Sequence, residues 1–328
     1  MKTNFQTYQP MKIRNLFSPS RPGVMALALG IAASLFALPA FAAGEQKFDS
    51  PEAAVAALTD AAKAKDTNAV HKIFGPEGHE LVSPDVVQAS EGFTHFVERL
   101  TEKTTLVKAT DSKELLEIGS DRWPFPMPLV KEDGKWYFDV AAGREEILNR
   151  RIGRDELGAI AVCHAYVDAQ REYAGRDRMG KGVLEYAQFL MSTPGTHDGL
   201  YWSAKEPGDE ISPLGPLVAQ AHQEGYHRRT GLLTENQSPY HGYYFQVILR
   251  QGRHAPGGKY SYVINGHMIG GFALVAWPAE YGNTGIMTFI VNQQGKVYQK
   301  DLGPNTDKLA RKITTYDPDA SWKPAEGK

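Results

Sequence analysis

The stretch Gly271-Phe272-Ala273-Leu274-Val275-Ala276-Trp277-Pro278-Ala279-Glu280-Tyr281-Gly282-Asn283-Thr284-Gly285-Ile286-Met287-Thr288-Phe289-Ile290-Val291-Asn292 decides the fold of this chain. Its two β-rich runs, Phe272 to Trp277 and Ile286 to Asn292, flank Tyr281-Gly282-Asn283, and a connection this short favours antiparallel pairing over a helical crossover. Outward from it, Tyr243 to Arg250, Tyr260 to Ile264 and Lys296 to Asp301 read as further strands, divided by Gly257-Gly258, Asn265-Gly266 and Gln294-Gly295. Before them, Arg144 to Tyr173 is helical, with Ile147, Leu148 and Ile152 followed by Leu157, Ile160, Ala161, His164 and Val167. Gly153 interrupts this pattern and predicts two helices or one bent one. Gly175 to Gln246 has little periodicity and reads as ordered loops or a functional surface.

The part before Ala142 has a different pattern. Ser50-Pro51-Glu52 reads as a helix start, and Val55, Leu58 and Ala62, then Val70, Ile73 and Phe74, then Phe93, Phe96, Val97 and Leu100 recur at helical spacing. Leu129 to Glu132 and Lys135 to Val140 flank Asp133-Gly134, a favoured hairpin turn. Helices first and a hairpin sheet afterwards make a small α+β domain, residues 43–142. A long helix plus antiparallel meander follows over 143–316, and 317–328, with Pro318 and Pro324, is expected to fray.

The first 42 residues carry an address. Lys12, Arg14 and Arg21 precede an apolar run from Val24 to Leu38, and Pro39 leads into Ala40-Phe41-Ala42, the pattern of a secretory signal cleaved after Ala42. The run is shorter than a bilayer span, so no stable membrane span is expected after cleavage. Cleavage removes four basic and no acidic residues from 36 Lys+Arg and 38 Asp+Glu, leaving 32 against 38, a net charge of −6. That mild acidity argues against nucleic acid as a partner. The single cysteine, Cys163, rules out an intrachain disulfide or a Cys-based metal site and suits an oxidising compartment only when buried. The expected location is the periplasm or the medium.

Catalytic signatures are missing. Gly175-Arg176-Asp177-Arg178-Met179-Gly180-Lys181 resembles a phosphate-binding loop, but Gly182 replaces the Ser/Thr that holds magnesium and the preceding element is a helix. Ten histidines contain no HExxH, and no Gly-x-Ser-x-Gly elbow occurs, so no metal or other cofactor is expected. His197, Asp198, His227 and His241 are the weak catalytic candidates, able to converge only through tertiary structure. The aromatic residues are the better clue: Trp123, Phe125, Trp136, Tyr201, Trp202, Trp277 and Tyr281 cluster at loop and strand ends, where amphipathic rings line pockets or contacts.

Long motifs carry a family resemblance over residues 46–316. They include Phe48-Asp49-Ser50-Pro51-Glu52, Trp123-Pro124-Phe125-Pro126, Gly143 to Gly153, Tyr166-Val167-Asp168-Ala169-Gln170, His197-Asp198-Gly199-Leu200-Tyr201-Trp202, Ser212 to Leu217, and Gly271 to Asn292. With these the chain resembles DUF2950, a family of uncharacterised bacterial exported proteins. Its N-terminal part is similar to NTF2-like domains, which implies helices on a curved sheet. Its C-terminal sheet resembles those of pilin-like proteins, although the hydrophobic spine of true pilins does not precede Arg144. The expectation is an α+β, exported, non-catalytic module that binds a small ligand or an envelope protein. The alternatives are a hydrolase or metal-dependent enzyme built from the second domain's loops, and an envelope structural or assembly subunit.

Overall fold

Three side-chain caps start the first three helices. Ser50 accepts the Ala53 N–H at 3.1 Å and opens α1 (Pro51–Lys63), with Pro51 at the position that needs no N–H donor. Asp66 opens α2 (Thr67–Phe74), and Asp85 opens α3 (Val86–Glu102) by accepting the Val87 and Gln88 N–H groups. The computed structural model describes residues 44–204, 208–224, 226 and 239–325. The expected cleavage site at Ala42 and the candidate His227 lie outside the described residues.

After α3 come β1 (Thr104–Thr110), β2 (Lys113–Ile118), β3 (Trp123–Pro124), β4 (Leu129–Glu132) and β5 (Lys135–Phe138). They form an antiparallel sheet in the order β1-β2-β4-β5, with β3 also on β2. The turn between β4 and β5 is the expected one: Asp133 and Gly134 both have positive φ, 50° and 80°, the geometry whose twist matches a hairpin. One buried cluster gathers Leu58, Phe74, Leu100, Leu116, Phe125, Trp136 and Phe138 between these helices and this sheet.

The central element is α4 (Val140–Ala174), 35 residues capped by Asp139, whose carboxylate accepts the Ala142 N–H at 2.9 Å. At 1.5 Å per residue it is about 50 Å long. Of the two expectations at Gly153, two helices or one bent one, the first does not occur: a single helix runs through it. The buried stripe also differs in phase from the apolar pattern in the sequence. Arg151, Asp155, Ala159, Val162, Cys163, Tyr166, Gln170 and Tyr173 face inward, whereas Leu157 and Ala161 are exposed and Ile160 and His164 half-buried. The polar members Arg151, Asp155 and Gln170 sit on the inner face, which apolar periodicity cannot reveal.

α4 lies on β13 and β14 of a second sheet. After α4 the chain forms β6 (Phe189–Met191), β7 (Gly199–Tyr201), α5 (Gly215–Gln223), β8 (Tyr243–Ile248), β9 (Arg250–Gln251), β10 (Tyr260–Ser261), β11 (Val263–Ile264) and β12 (His267–Met268). Then come β13 (Ala273–Pro278), β14 (Met287–Asn292), β15 (Tyr298–Asp301), α6 (Thr306–Ala310) and β16 (Lys323–Pro324). The sheet order is β16-β15-β14-β13-β8, antiparallel throughout, with Leu274 opposite Val291 and Val247. Tyr260 to Ile264 does not join it, pairing instead in two small ribbons with β9 and β12. The described part of the expected frayed tail, residues 317–325, is tied down: β16 pairs with β15, and the Ala325 N–H donates to the Val297 carbonyl at 3.0 Å.

Polar side chains lock α4 to its surroundings. The Tyr166 hydroxyl donates to the Ala273 carbonyl at 3.1 Å, and the Gln170 amide exchanges two hydrogen bonds with the Ala187 backbone, at 2.8 and 2.9 Å. Such satisfied buried groups fix the register of a long helix on a flat apolar surface. Among the described residues no helix is long and apolar enough to cross a membrane.

Candidate functional site

α4 serves as a ruler for the candidate residues. Midway along it, Asp155 is 0% exposed; its Oδ1 accepts from Gln88 Nε2 at 3.1 Å and from Arg154 Nε at 3.3 Å, while its Oδ2 is without a hydrogen-bond partner among the described residues. Burial pushes its carboxyl up to about 6, against the opposing pull of Arg154, Gln88 and His241. Gln88 Oε1 in turn accepts from Arg154 Nη2 at 2.7 Å, and Arg151 donates to Asn283. Burial pushes the Arg151 guanidinium down, opposed by the Asp155 carboxylate.

Gly242 closes this cluster. Its φ is 72°, and a Cβ there would stand 2.8 Å from both Asp155 Oδ2 and Thr284 Cβ, so glycine is required by backbone and space together. The preceding residue, His241, also has positive φ, 46°, which is uncommon for a side chain of its size and marks a held backbone. Its Nε2 lies 3.1 Å from Glu224 Oε2, and its ring packs on Tyr240 and Tyr226 at 4.2 and 5.6 Å between centroids. The Tyr226 hydroxyl donates to Asp85 Oδ2 at 2.6 Å; burial, then this bond, hold the phenol well above its ordinary range.

At the far end of α4 lies a different cluster. The Arg178 side chain is 3% exposed and sits over the Tyr173 and Trp202 rings at 5.2 and 6.0 Å. Its Nη1 donates to the last carbonyls of the helix, Glu172 at 2.9 Å and Tyr173, and its Nη2 is 3.1 Å from Glu210. The His197 ring stacks on Trp202 at 4.3 Å, the Trp202 indole N–H donates to the Glu210 carbonyl at 3.0 Å, and Tyr173 donates to the His197 carbonyl. Asp198 is spent on its own turn, accepting from Thr193 and Thr196; burial raises its pKa, but those bonds outweigh it and leave the carboxyl low.

The loop that resembles a phosphate cradle is filled from within. The Asp177 carboxylate accepts the Lys181 N–H at 3.1 Å and the Gly182 N–H at 2.6 Å, which also holds Asp177 below the usual range. The amides that would bind phosphate are thus taken, and Arg178 turns inward to cap α4.

The structure does not bring the histidine candidates together. His241 Cβ lies 3.4 Å from the Cβ that Gly158 would carry, and His197 is tied to Tyr173. Fifteen residues of helix separate those two anchors, about 22 Å. Among the described residues no group of three or more His, Cys, Asp or Glu stands ready to hold a metal ion.

The aromatic candidates divide. Phe125 packs with Phe74, Phe96 and Phe138, Trp136 is buried with them, and Trp277 is buried with its indole N–H on Asp307 at 3.0 Å. Trp123, under Arg150 at 4.5 Å, stays half-exposed, as do Tyr201, Trp202 and Tyr281, whose hydroxyl donates to Asp301 at 3.3 Å. Tyr201 belongs to a larger feature. β6 and β7 pair in parallel, Phe189 opposite Gly199 and Met191 opposite Tyr201, while the alternate residues Leu190 and Leu200 are buried. By strand alternation Phe189, Met191 and Tyr201 share the outward face, and Phe189 and Met191 are 53% and 40% exposed. Phe189-Leu190-Met191 is apolar at all three positions, so the sequence carried no alternation that could mark this face, and the run is too short to register as a strand. Asp155 and Glu224 carried no motif at all.

A protein-family model, described as a protein of unknown function (DUF2950), matches residues 45–325. No curated protein and no solved structure matches the chain.

Proposed function

We propose a function from this chain's own residues, since it belongs to DUF2950, a family whose description assigns no activity. The chain is an exported, non-catalytic binding protein of the cell envelope that holds a partner protein on the outward face of β6 and β7. One observation carries this reading: Phe189 and Met191 are 53% and 40% exposed beside the half-exposed Tyr201, on a strand pair whose other face is fully packed. Monomeric proteins seldom leave neighbouring large apolar side chains in water unless a contact covers them.

Export rests on Lys12 to Ala42 and on the burial of the one thiol, Cys163, in α4. The architecture supports the likenesses drawn from sequence: helices against the β1–β5 sheet in the NTF2-like manner, and a long helix before an antiparallel sheet in the pilin-like manner. The enzyme alternative is weakened by the separation of His197 from His241 along α4. Crosslinking the intact protein in cells and recovering it from envelope fractions tests the binding role. A discrete partner should be captured, and Phe189→Glu combined with Met191→Glu should abolish capture without unfolding the protein. Capture that survives both substitutions contradicts the reading. N-terminal sequencing should find the mature chain starting at Ala43, and an intact Met1 would overturn export.

A further inference from the structure

We propose that Asp155 is a proton-operated latch: as a neutral acid it holds α3, α4 and the 240–242 segment together, and its ionisation loosens that junction. The geometry supplies the argument. The carboxyl is 0% exposed, and its two oxygens are unequal. Oδ1 joins two elements, accepting from Gln88 on α3 and from Arg154 on its own helix. Oδ2 has no donor, and Gly242 stands against it so closely that a methyl group there would be 2.8 Å away. A buried carboxylate is stable only when its lone pairs are met, and here one oxygen would carry charge with nothing to receive it. The neutral acid removes that cost while Oδ1 keeps both of its bonds.

Charged and titratable groups surround the site from every side. Arg151, Arg154 and Glu156 lie on α4, Asp85 lies at the start of α3, and His241 and Tyr243 come from the approach to β8. Glu280 comes from the turn after β13, and Glu224 reaches the cluster through His241. The Arg154 cation, the hydrogen bonds from Gln88 and Arg154, and His241 oppose the effect of burial without cancelling it, which leaves the carboxyl at about 6, against 3.8 for a free aspartate. The folded-state value is therefore raised. Stability from this group is fully present below the unfolded value near 4, is lost as pH rises towards 6, and stays lost above it.

The test compares the full mature chain with Asp155→Asn, which keeps the shape and removes the charge. Equilibrium unfolding between pH 4 and 8 should show the wild type losing stability relative to the variant as pH rises. The ratio of their unfolding constants should change roughly a hundredfold, most of it below pH 6.5. Titrating groups that do not interact with Asp155 are common to both proteins and cancel in that ratio. A constant ratio across this range overturns the proposal. Hydrogen exchange at a single pH separates a latch from a general stability effect. At pH 7.5 the amides of the first turn of α3 and of residues 240–243 should be less protected in wild type than in the variant, and equally protected near pH 4.5. Uniform protection differences across the chain contradict the latch. Should Asp155→Asn fail to fold, Gln88→Leu keeps the carboxyl and removes its Oδ1 donor. It should move the pH at which stability falls to a higher value, and an unmoved midpoint would sink the idea.

Discussion

Arg178, just past the end of α4, and Asp155, midway along it, are both buried, yet the fold treats the two charges differently. Arg178 receives two helix carbonyls, the Glu210 carboxylate and the faces of Tyr173 and Trp202, and among the described residues only its Nε is left without a hydrogen-bond partner. Asp155 receives donors on one oxygen only. The chemistry of the groups explains the contrast. A guanidinium cannot shed its charge in a protein, so its burial must be compensated by neighbours. A carboxyl can neutralise itself by taking a proton, so a site can leave it short of partners and become sensitive to pH. The aromatic end of α4 is thus built for permanence, and the carboxylate at its middle for change.

Substitutions can sharpen or break this comparison. The largest loss should come from Arg178→Ala, which uncaps α4 and strands Glu210. Breaking a buried pair costs about 3–5 kcal/mol, and because Glu210 is a third exposed a loss of about 2–3 kcal/mol is expected in chemical unfolding. A loss under ~1 kcal/mol would mean that the compensation described here is ornamental.

Gly242→Ala comes next. It places a side chain at positive φ against Asp155 Oδ2 and Thr284, and about 1–3 kcal/mol of destabilisation is expected. Full tolerance would show that the cluster can open, contrary to the close packing around Oδ2. Gly153→Ala should act in the opposite direction. Nothing lies within 4 Å of a Cβ at that point on an unbroken helix, so unfolding should show a gain of about 0.5–1 kcal/mol. A loss there would reveal a bend that the helix needs.

The smallest stability effect belongs to the outward face of β6. Phe189→Glu should change the midpoint of unfolding by less than ~0.5 kcal/mol, because the ring touches water more than protein. Its effect should appear instead in partner capture.

Much of this architecture was legible in the sequence. Asp133-Gly134 dictated a hairpin because both positions accept positive φ, and the short connection from Trp277 to Ile286 forced antiparallel pairing. Ser50-Pro51 marked the first helix by chemistry that acts within four residues. The inner face of α4 was not legible, since Arg151, Asp155 and Gln170 occupy positions where periodicity looks for apolar residues. At Gly153 the sequence could not choose between two helices and one, because tertiary packing of a 35-residue helix overrides the cost of a single glycine. As for the candidate site, aromatic residue type could not tell Trp277, buried with a hydrogen-bonded indole, from Trp202, half-exposed on a loop. His241 was visible as a histidine, but its Glu224 partner and the Asp155 behind it are joined only by tertiary structure.

The most direct measurement of the central contrast is a carbon-detected titration of the protein labelled at its aspartate carboxyls, with Asp155→Asn supplying the assignment. The account predicts an aspartate carboxyl titrating near pH 6 that is absent from the variant. If the signal lost in the variant titrates below about pH 4.5, with the ordinary carboxylates, Asp155 is a charged structural residue and the contrast with Arg178 fails.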